Sequence, residues 1–422
     1  MSLTIRQGSV QSAEARRIFL RMFRTEPLAD PYPMYARLRA LAPVLSIRHP
    51  RFPRGYLVST QELCAALFRD PDFTPITSAA LDTLAPGWRD NPFATAMHSS
   101  LMFSSGAAHR KLRAAVGHFL GPRVVEQRRA EVVELADSLL DGVADLGRSG
   151  EPVDIAEALA LPYASLVTGL LLGLDPQESL RLGRLTRQCG AILEMACPVE
   201  DYKDMLEPAG EIIEALHLLV EKRRLQPRED MVSELTRLYL SEHDREQLIN
   251  DLVLLMIGGV ESPARTVGLG VRLLLERPEQ ARILREDPTV VHRAVAEIIR
   301  YDPAFQLIPR MASKPTRFAG IDVLPGDVML ACVAAANRDP DYVADPDRFD
   351  VTRPASIGLG MAGGPHYCLG AAMGQLQMEV LFPRLLRRFP AVAAAGAPVF
   401  RAPGTTLRGC DHLPVRLHQV IR

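Results

Sequence analysis

Hydrophobic positions in this chain recur mainly at every third or fourth residue, which is the spacing of one face of a helix. The spacing predicts helices over residues 33–41, 61–68, 107–119, 123–147, 155–172, 177–194, 202–225, 229–240, 278–286, 290–301 and 371–386. Thr60 is the expected cap of the second helix. The longest helical pattern covers residues 244–276, and its middle, 252–257, is apolar on all sides. Such a helix lies in the interior of a large protein, so we expect it at the centre of the fold.

Alternating patterns typical of β-strands are confined to short stretches of the chain. They cover residues 55–59, 316–319, 323–324, 328–333 and 407–417. Residues 74–101 are rich in Pro, Gly, Thr, Asp and Asn, and we expect a long irregular loop there. No linker, charge block or repeat divides the chain. The prediction is one domain, residues 1–422, mainly α with a small β portion, in which residues 1–25 are a candidate flexible segment.

The composition excludes several classes of function. The formal net charge is -1 with no long basic run, which argues against a nucleic-acid partner. No stretch of about 18 uncharged apolar residues is present, and the N-terminus has no signal-like segment. We therefore expect no membrane span and a cytoplasmic location. The six cysteines lack CxxC spacing, which argues against a disulfide framework and a structural zinc site.

One cysteine lies in a glycine-rich segment directly before an apolar helical run. This segment, the cysteine loop, is residues 361–370 and reads Met-Ala-Gly-Gly-Pro-His-Tyr-Cys-Leu-Gly. Gly364 and Gly370 would let the backbone approach the sulfur of Cys368 closely. Free backbone N–H groups and the N-terminus of the next helix would stabilise a thiolate there. Cys368 is therefore a candidate ligand for haem iron.

The cysteine loop resembles the haem-binding loop of the cytochrome P-450 monooxygenases, whose pattern is Phe-Gly-x-Gly-x-His-x-Cys-x-Gly. Gly364, His366, Cys368 and Gly370 match, whereas Met361 and Ala362 replace the aromatic residue and the first glycine. Further motifs follow in the family's order over nearly the whole chain. The resemblance implies a cytochrome P-450 fold, with haem b between the long kinked central helix and the cysteine loop. It also implies that Cys368 is the axial ligand of the iron.

The long apolar helix contains Gly258, Gly259 and Pro263. A glycine inside a helix costs about 1 kcal/mol relative to Ala, and a proline about 3 kcal/mol. The helix is therefore expected to bend, either as a packing kink or because the missing side chains make room for a ligand on the iron. The resemblance implies that the two glycines, Glu261 and Ser262 form the catalytic segment, in which the acid and the alcohol relay protons. Ser262 stands where a threonine is usual and lacks the methyl group that restricts its rotamer.

Four basic residues match the family's contacts to the haem propionates. His109 and Arg113 lie one helical turn apart, so both could reach one carboxylate pair. Arg310 and His366 match the remaining two positions. Taken singly, each residue could equally be a solvated surface charge.

A second charged motif is Glu297 with Arg300, which lie on one helix face at i, i+3. By itself the motif is compatible with a surface ion pair. The resemblance implies a buried ion network in which this pair locks with Arg348 and holds the core near the cysteine loop.

Several mostly apolar stretches are expected to line the substrate cavity by the same resemblance, including residues 74–101 and 165–200. For any one of these residues, ordinary core packing is the alternative. The residues named for the pocket are Leu254, Ile257, Phe305, Gln306, Leu307 and Thr406. Their composition favours a largely apolar small organic substrate.

The resemblance as a whole implies a haem-thiolate monooxygenase that activates dioxygen to hydroxylate such a substrate, in bacterial secondary metabolism. Electrons would come from a ferredoxin and a ferredoxin reductase to a monomeric enzyme. The candidate docking residues are Arg110, Lys111, Arg384, Arg387 and Arg388. Two alternatives stay open because of the departures at Met361, Ala362, Ser262 and Pro263. One is an atypical oxidation, namely phenol or C–C coupling, epoxidation or desaturation, and the other is a catalytically idle haem-binding scaffold that recruits partners.

Overall fold

The computed structural model describes residues 13–22, 28–49, 52–194, 203–239, 242–402, 405–418 and 420–421. Most of this part is helical, as the spacing predicts. The α-helices are Ala13–Met22, Tyr32–Leu41, Gln61–Arg69, Ser78–Leu84, Pro92–Ser99, Gly106–Gly117, Pro122–Gln127, Arg129–Leu146, Leu161–Leu172, Pro176–Gln188, Leu206–Leu225, Met231–Leu238, Glu242–Glu276, Pro278–Glu286, Val291–Tyr301, Val333–Ala336 and Ala371–Arg388. Short 3₁₀ turns and one π-helical turn, Ala156–Ala160, connect several of them.

The β portion is small and contains one larger sheet. Its five strands lie in the order Val44–His49, Phe52–Val58, Val328–Cys332, Leu307–Ala312 and Phe73–Thr74. Only the second and third of these are parallel, with Gly55 opposite Val328. The remaining strands, in three small sheets, are Val153–Asp154, Thr316–Phe318, Ile321–Val323, Val392–Ala394, Val399–Phe400, Cys410–His412 and Pro414–Leu417. The predicted mainly α architecture is confirmed.

The helix Glu242–Glu276, hereafter the central helix, runs through the interior and continues past Pro263. Leu252, Val253 and Val260 on it are fully buried. Its length and apolar composition would suffice to cross a membrane, but 72% of the apolar window is buried inside the molecule. The hydrophobic residues of this helix therefore belong to the protein core, as expected for a helix without a polar face.

Residues 74–101 are not the irregular loop that their composition predicts. Two helices, Ser78–Leu84 and Pro92–Ser99, and a 3₁₀ turn occupy most of the segment. The second helix starts at Asn91, whose side-chain oxygen accepts N–H bonds from Phe93 and Ala94 at 2.9 and 3.0 Å. An Asn at the N-cap followed by proline at the first helical position strongly favours the start of a helix. The loop prediction was wrong because polar residues at the caps were interpreted as loop residues.

Two details near the N-terminus add to the sequence expectations. Of residues 1–25, only 13–22 are described, and they form a helix whose Phe19 is 1% exposed, while the flexibility expected for this segment stays a prediction. Thr60 does precede the helix Gln61–Arg69, but its side chain makes no capping bond. Asp339 takes over that role, because its Oδ2 accepts the Gln61 N–H at 3.0 Å.

A buried carboxylate on the central helix holds the 92–103 region in place. Asp251, 1% exposed, accepts the backbone N–H of Leu101 at 2.9 Å. Gln247 and the Tyr239 hydroxyl also donate to it, each at 3.3 Å. Burial raises the pKa of Asp251 to about 6, although these three donors act in the opposite direction. The contact therefore includes a group that titrates under mildly acidic conditions.

Asp251→Asn should change the pH dependence of stability. The pKa of Asp251 is higher in the folded chain than its ordinary value of 3.8, so the folded state binds more protons between these values. Its contribution to stability is therefore present at low pH and is lost as the pH rises towards 6. Relative to the unchanged protein, the variant should gain up to about 3 kcal/mol of unfolding free energy between pH 4 and pH 7. Urea unfolding at several pH values measures the difference.

Glu246→Gln is the matched control, because Glu246 lies on the same helix but is exposed. Its pH profile should follow that of the unchanged protein. Parallel profiles for Asp251→Asn and the unchanged protein would contradict the expectation.

Candidate active site

One cavity has both the central helix and the cysteine loop in its walls. It encloses about 420 Å³, within the usual range for small-molecule sites. Cys368 and His366 of the loop line it together with Gly258 and Ser262 of the helix. The cavity is thus the place where the candidate haem ligand and the candidate catalytic segment meet.

The backbone of the cysteine loop closes on itself around the thiol. The Cys368 N–H donates to the Met361 carbonyl at 2.9 Å, and the Gly374 N–H donates to the Gly370 carbonyl at 2.8 Å to start the helix Ala371–Arg388. Burial raises the pKa of the Cys368 thiol, while the Gly370 N–H and the Arg113 charge act against this rise. The surroundings alone therefore favour the neutral thiol over the thiolate.

Two residues of the cysteine loop have a positive φ. At Gly364 (φ +63°) a Cβ would collide with the backbone carbonyl of Phe68, so only glycine fits. At Ala362 φ is +59°, which costs an L-residue about 1–2 kcal/mol, so the strain expected from losing a glycine there is present. Gly370 has an ordinary φ, and a Cβ on it would meet no atom of the described chain within 4 Å. Gly364 is therefore needed for contact with Phe68 rather than for approach to the sulfur.

Two histidine rings are stacked at one side of the cavity. The ring centroids of His109 and His366 lie 4.2 Å apart with a 42° angle between the planes. Burial, with the charges of Arg310, His109 and Arg113, lowers the pKa of His366 to about 3, so the ring is neutral at pH 7. Arg113 donates to the Tyr367 carbonyl at 2.7 Å and so attaches the helix Gly106–Gly117 to the loop.

Arg310 enters the same side from the sheet. It is 6% exposed, lies 5.1 Å above the Phe68 ring and donates to the Pro309 carbonyl. Burial lowers its pKa to about 10. Within the part of the chain that the structure describes, neither Arg310 nor Arg113 has a carboxylate at ion-pair distance. A buried guanidinium without a counter-ion is costly, so this cluster fits an anionic group such as the two haem propionates.

Gly258 and Gly259 of the central helix serve different purposes. A Cβ on Gly258 would meet no described atom within 4 Å, so this glycine leaves space open in the cavity. A Cβ on Gly259 would come within 2.6 Å of the Thr168 Oγ1, so this glycine lets the helix Leu161–Leu172 pack closely. Both glycines were expected to make room for a ligand, but only Gly258 leaves free space in the cavity.

The acid and the alcohol of the central helix point in different directions. Ser262 lines the cavity, and its hydroxyl donates to the Gly258 carbonyl at 3.1 Å. Glu261 is fully buried and is not part of the cavity wall. Arg265 donates to its Oε2 at 3.3 Å, and the Arg187 Nε lies 3.7 Å from its Oε1. Of the two candidates, only Ser262 is in direct reach of a bound molecule.

The ion pair below the cysteine loop is fully buried. Arg300 and Glu297 form two parallel hydrogen bonds of 2.7 and 2.9 Å, with at most 2% of either residue exposed. Arg300 also donates to the carbonyl of Asn337 at 3.0 Å. The side-chain oxygen of Asn337 accepts the N–H of Leu359 at 2.7 Å, two residues before the loop. A continuous set of hydrogen bonds thus connects the ion pair to the cysteine loop.

The third member of this network is Arg353, and the assignment of Arg348 was wrong. The Nε of Arg353 lies 3.4 Å from a Glu297 oxygen. The side chain of Arg348 is 68% exposed and pairs with Asp350 at 3.4 Å. Only the later arginine turns inwards, because its guanidinium also donates to three carbonyls of the preceding turn, including that of Arg348.

Four of the six residues named for the substrate pocket line the cavity, namely Leu254, Phe305, Leu307 and Thr406. Ile257 does not, because it faces the core on the other side of its helix and is fully buried. Gln306 is also fully buried outside the wall, and its amide donates to the Pro303 carbonyl at 2.6 Å. The wall also contains His98 and Glu194, which lie in the stretches 74–101 and 165–200 expected to line it, and Met102, Phe103 and Leu255, which the sequence did not single out.

A scan against protein-family models matches residues 83–398 to the model described as Cytochrome P450. The chain belongs to the cytochrome P450 family. It is therefore a haem b monooxygenase of the haem-thiolate class. Cys368, four basic side chains at one cavity wall and a helix opened by Gly258 give this chain a site of the corresponding chemistry.

Curated relatives resemble the chain over nearly its full length. It is 32% identical over 402 residues to 6-deoxyerythronolide B hydroxylase of Saccharopolyspora erythraea, covering 92% of this chain and 96% of the relative. It is 31% identical to nocardicin C N-oxygenase of Nocardia uniformis subsp. tsuyamanensis, covering 93% and 98%. Relatives of this kind support a monooxygenase in bacterial secondary metabolism.

Solved structures agree with the fold. A P450 crystallised with an acyl carrier protein that carries hexadec-9Z-enoic acid has a TM-score of 0.84, at 26% identity over 92% of this chain and 99% of that one. A myxobacterial cytochrome P450 in complex with myristic acid has a TM-score of 0.83, at 30% identity over 93% and 97%.

Arg353→Ala should destabilise the haem-loaded enzyme by about 2 kcal/mol. It removes a contact to the buried Glu297 and leaves three carbonyls without their donor. Arg348→Ala is the matched control from the same turn, with an expected change within about 0.5 kcal/mol because its side chain is exposed. Urea unfolding followed at the Soret band measures both. Equal destabilisation by the two variants would disprove the assignment of Arg353.

Proposed function

We propose that Cys368 is the axial ligand of the haem iron and that the enzyme hydroxylates a largely apolar small organic molecule. The observation that carries the proposal is the single cavity shared by the thiol, the cluster of basic side chains and the opened central helix. The haem, when bound, supplies the iron that activates dioxygen for insertion into a C–H bond. Everything else in the mechanism is done by side chains that bind, orient and protonate.

The four basic residues would hold the two propionates. Arg113 and Arg310 bring positive charge, and His109 and His366 bring ring N–H donors. His366 can donate as a neutral ring, since its pKa is lowered to about 3. These contacts would offset the cost of burying Arg310 and would fix the haem plane relative to Cys368.

Ser262 would hold the proton that the reaction consumes. Ser262 lines the cavity, and its hydroxyl donates to the Gly258 carbonyl. Glu261 lies behind this wall, where Arg265 and Arg187 pair with it, so Ser262 is the residue proposed to pass the proton to the cavity. Ser262 rotates more freely than a threonine, so proton delivery would be less tightly oriented. That looser orientation is the feature that would favour one of the atypical oxidations as a second outcome.

The lining of the cavity favours an apolar substrate. Leu254, Phe305, Leu307 and the 101–103 turn present mainly hydrocarbon surface. The relatives named above act, by their names, on 6-deoxyerythronolide B and nocardicin C, and the myxobacterial P450 holds myristic acid. We infer a secondary metabolite of comparable character for this enzyme.

Electron supply would come from a ferredoxin and its reductase, and the enzyme would act as a cytoplasmic monomer made of one domain, residues 1–422. Arg110, Lys111 and Arg387 are exposed and could contact an acidic redox partner. Arg384 and Arg388 instead pair with carboxylates of the neighbouring helix, which makes them weaker candidates.

The ferrous–CO spectrum tests the ligand assignment. The haem-loaded enzyme should show the red-shifted Soret band of a thiolate ligand, and Cys368→Ser should abolish that band. Cys410→Ala is the control, because Cys410 is buried outside the cavity, and its spectrum should remain unchanged. A thiolate band that survives Cys368→Ser would rule out Cys368 as the ligand.

Ser262→Ala tests the proton role with a substrate found by spin-state screening of apolar metabolites. Product formed per reducing equivalent should fall by about 10²-fold or more, while substrate affinity changes little, because only proton transfer loses its donor. Ser262→Thr restores the hydroxyl and should keep the ratio at or above that of the unchanged enzyme. Full coupling in Ser262→Ala would remove Ser262 from the mechanism.

A further inference from the structure

The cavity contains one acidic side chain that the proposed reaction does not use. Apart from the basic cluster and Cys368, the described wall is mainly apolar, and Glu194 is the only carboxylate in it. Glu194 follows the 3₁₀ turn Cys189–Leu193 and is 5% exposed. A buried carboxylate in apolar surroundings is costly unless it is paired and hydrogen-bonded.

The known partners of Glu194 account for only part of its bonding capacity. Its Oε2 accepts the Thr406 N–H at 2.9 Å and its Oε1 accepts the Leu407 N–H at 3.1 Å. An ionised carboxylate has about four acceptor positions, so these two bonds leave acceptor capacity on the side of the cavity. The two bonds to the N–H groups of Thr406 and Leu407 already connect the turn to residues 406–407, and the remaining acceptor positions of Glu194 are not needed for this connection.

The nearby cation does not complete the site. The Nε of Arg401 lies 3.7 Å from the Glu194 Oε1, which is beyond hydrogen-bond distance. Arg401 is 9% exposed, and this Nε has no hydrogen-bond partner within the described ranges. The pair thus places a carboxylate in the cavity wall, with one bond on each oxygen and a guanidinium nearby whose Nε has no partner in the described part of the chain. A further donor that approaches from the cavity would satisfy Glu194.

We propose that Glu194 accepts a hydrogen bond from a hydroxyl or protonated amino group of the substrate. This inference rests on the proposed function, namely oxidation of a largely apolar molecule in this cavity. The substrate is then an apolar skeleton with a hydrogen-bond donor that lies against the 406–407 wall. Glu194 is a specificity-determining residue, and it orients the skeleton without touching the reacting atoms.

Spin-state titration of the haem-loaded enzyme with probes of equal chain length tests the proposal. The probes are 1-dodecanol, protonated N,N-dimethyldodecylamine and dodecyl methyl ether, which lacks a donor. The unchanged enzyme should bind at least one of the two donor probes about 10-fold more tightly than the ether. Glu194→Gln keeps the shape and one acceptor oxygen, and it should remove most of that advantage while the ether affinity stays unchanged. Loss for the alcohol alone identifies a hydroxyl, and loss for the amine alone identifies an amino group.

Arg401→Gln is a second test variant. If Glu194 had only a structural role, this variant would not change the affinity of the amine probe relative to the ether. It removes the positive charge behind the carboxylate, so the amine probe should bind several-fold more tightly, with no change for the ether. Equal affinity of all three probes for the unchanged enzyme overturns the proposal, as does an equal loss for all three in Glu194→Gln. Failure of every probe to shift the spin state overturns it as well. In each case a thiolate band in the ferrous–CO spectrum shows that the assignment of Cys368 still stands and that the failure concerns Glu194.

Discussion

The buried pair of Glu297 and Arg300 is the contact on which the site depends. Two charges without water are stable only when both are fully hydrogen-bonded, and this requirement fixes the backbone around them. Arg300 binds the carbonyl of Asn337, and Asn337 in turn binds the N–H of Leu359, just before the cysteine loop. The position of Cys368 is therefore set from below by a network that cannot relax without exposing a charge.

The cysteine loop and the central helix, which form two walls of the site, both depart from the family pattern. Below, Ala362 keeps a positive φ that a glycine would adopt without strain. Above, Ser262 replaces a threonine and is followed by Pro263, which has no N–H for the helix. The residues proposed to hold the haem, namely Cys368 and the four basic side chains, all line the cavity. The departures thus affect how the thiol and the proton donor are held, and leave the class of cofactor unchanged.

The helical architecture, the cofactor and the cysteine loop could be predicted because each rests on a local pattern. Two pocket residues were predicted wrongly because the helical or strand periodicity, which decides the direction of a side chain, was not applied to them. Ile257 lies on the helix face opposite the cavity. Gln306 points away from the cavity, because its neighbours Phe305 and Leu307 face the cavity and side chains alternate along an extended segment. The choice between Arg348 and Arg353 depends on how an irregular turn folds back, which no period describes. Residues 74–101 were mistaken because helix caps and loops share the same polar residue types.

The face of the central helix that lines the cavity also defines the length of one cavity wall. Leu254, Gly258, Ser262 and Thr266 all line the cavity and recur at every fourth position. At a rise of about 1.5 Å per residue, they span roughly 18 Å along the wall. In the proposed reaction, the distance that a long substrate can extend along this wall from Gly258 would decide which carbon is oxidised. A change of side-chain size at Leu254 or Thr266 would shift that distance without touching a haem contact, so the position of oxidation can evolve separately from the capacity to oxidise.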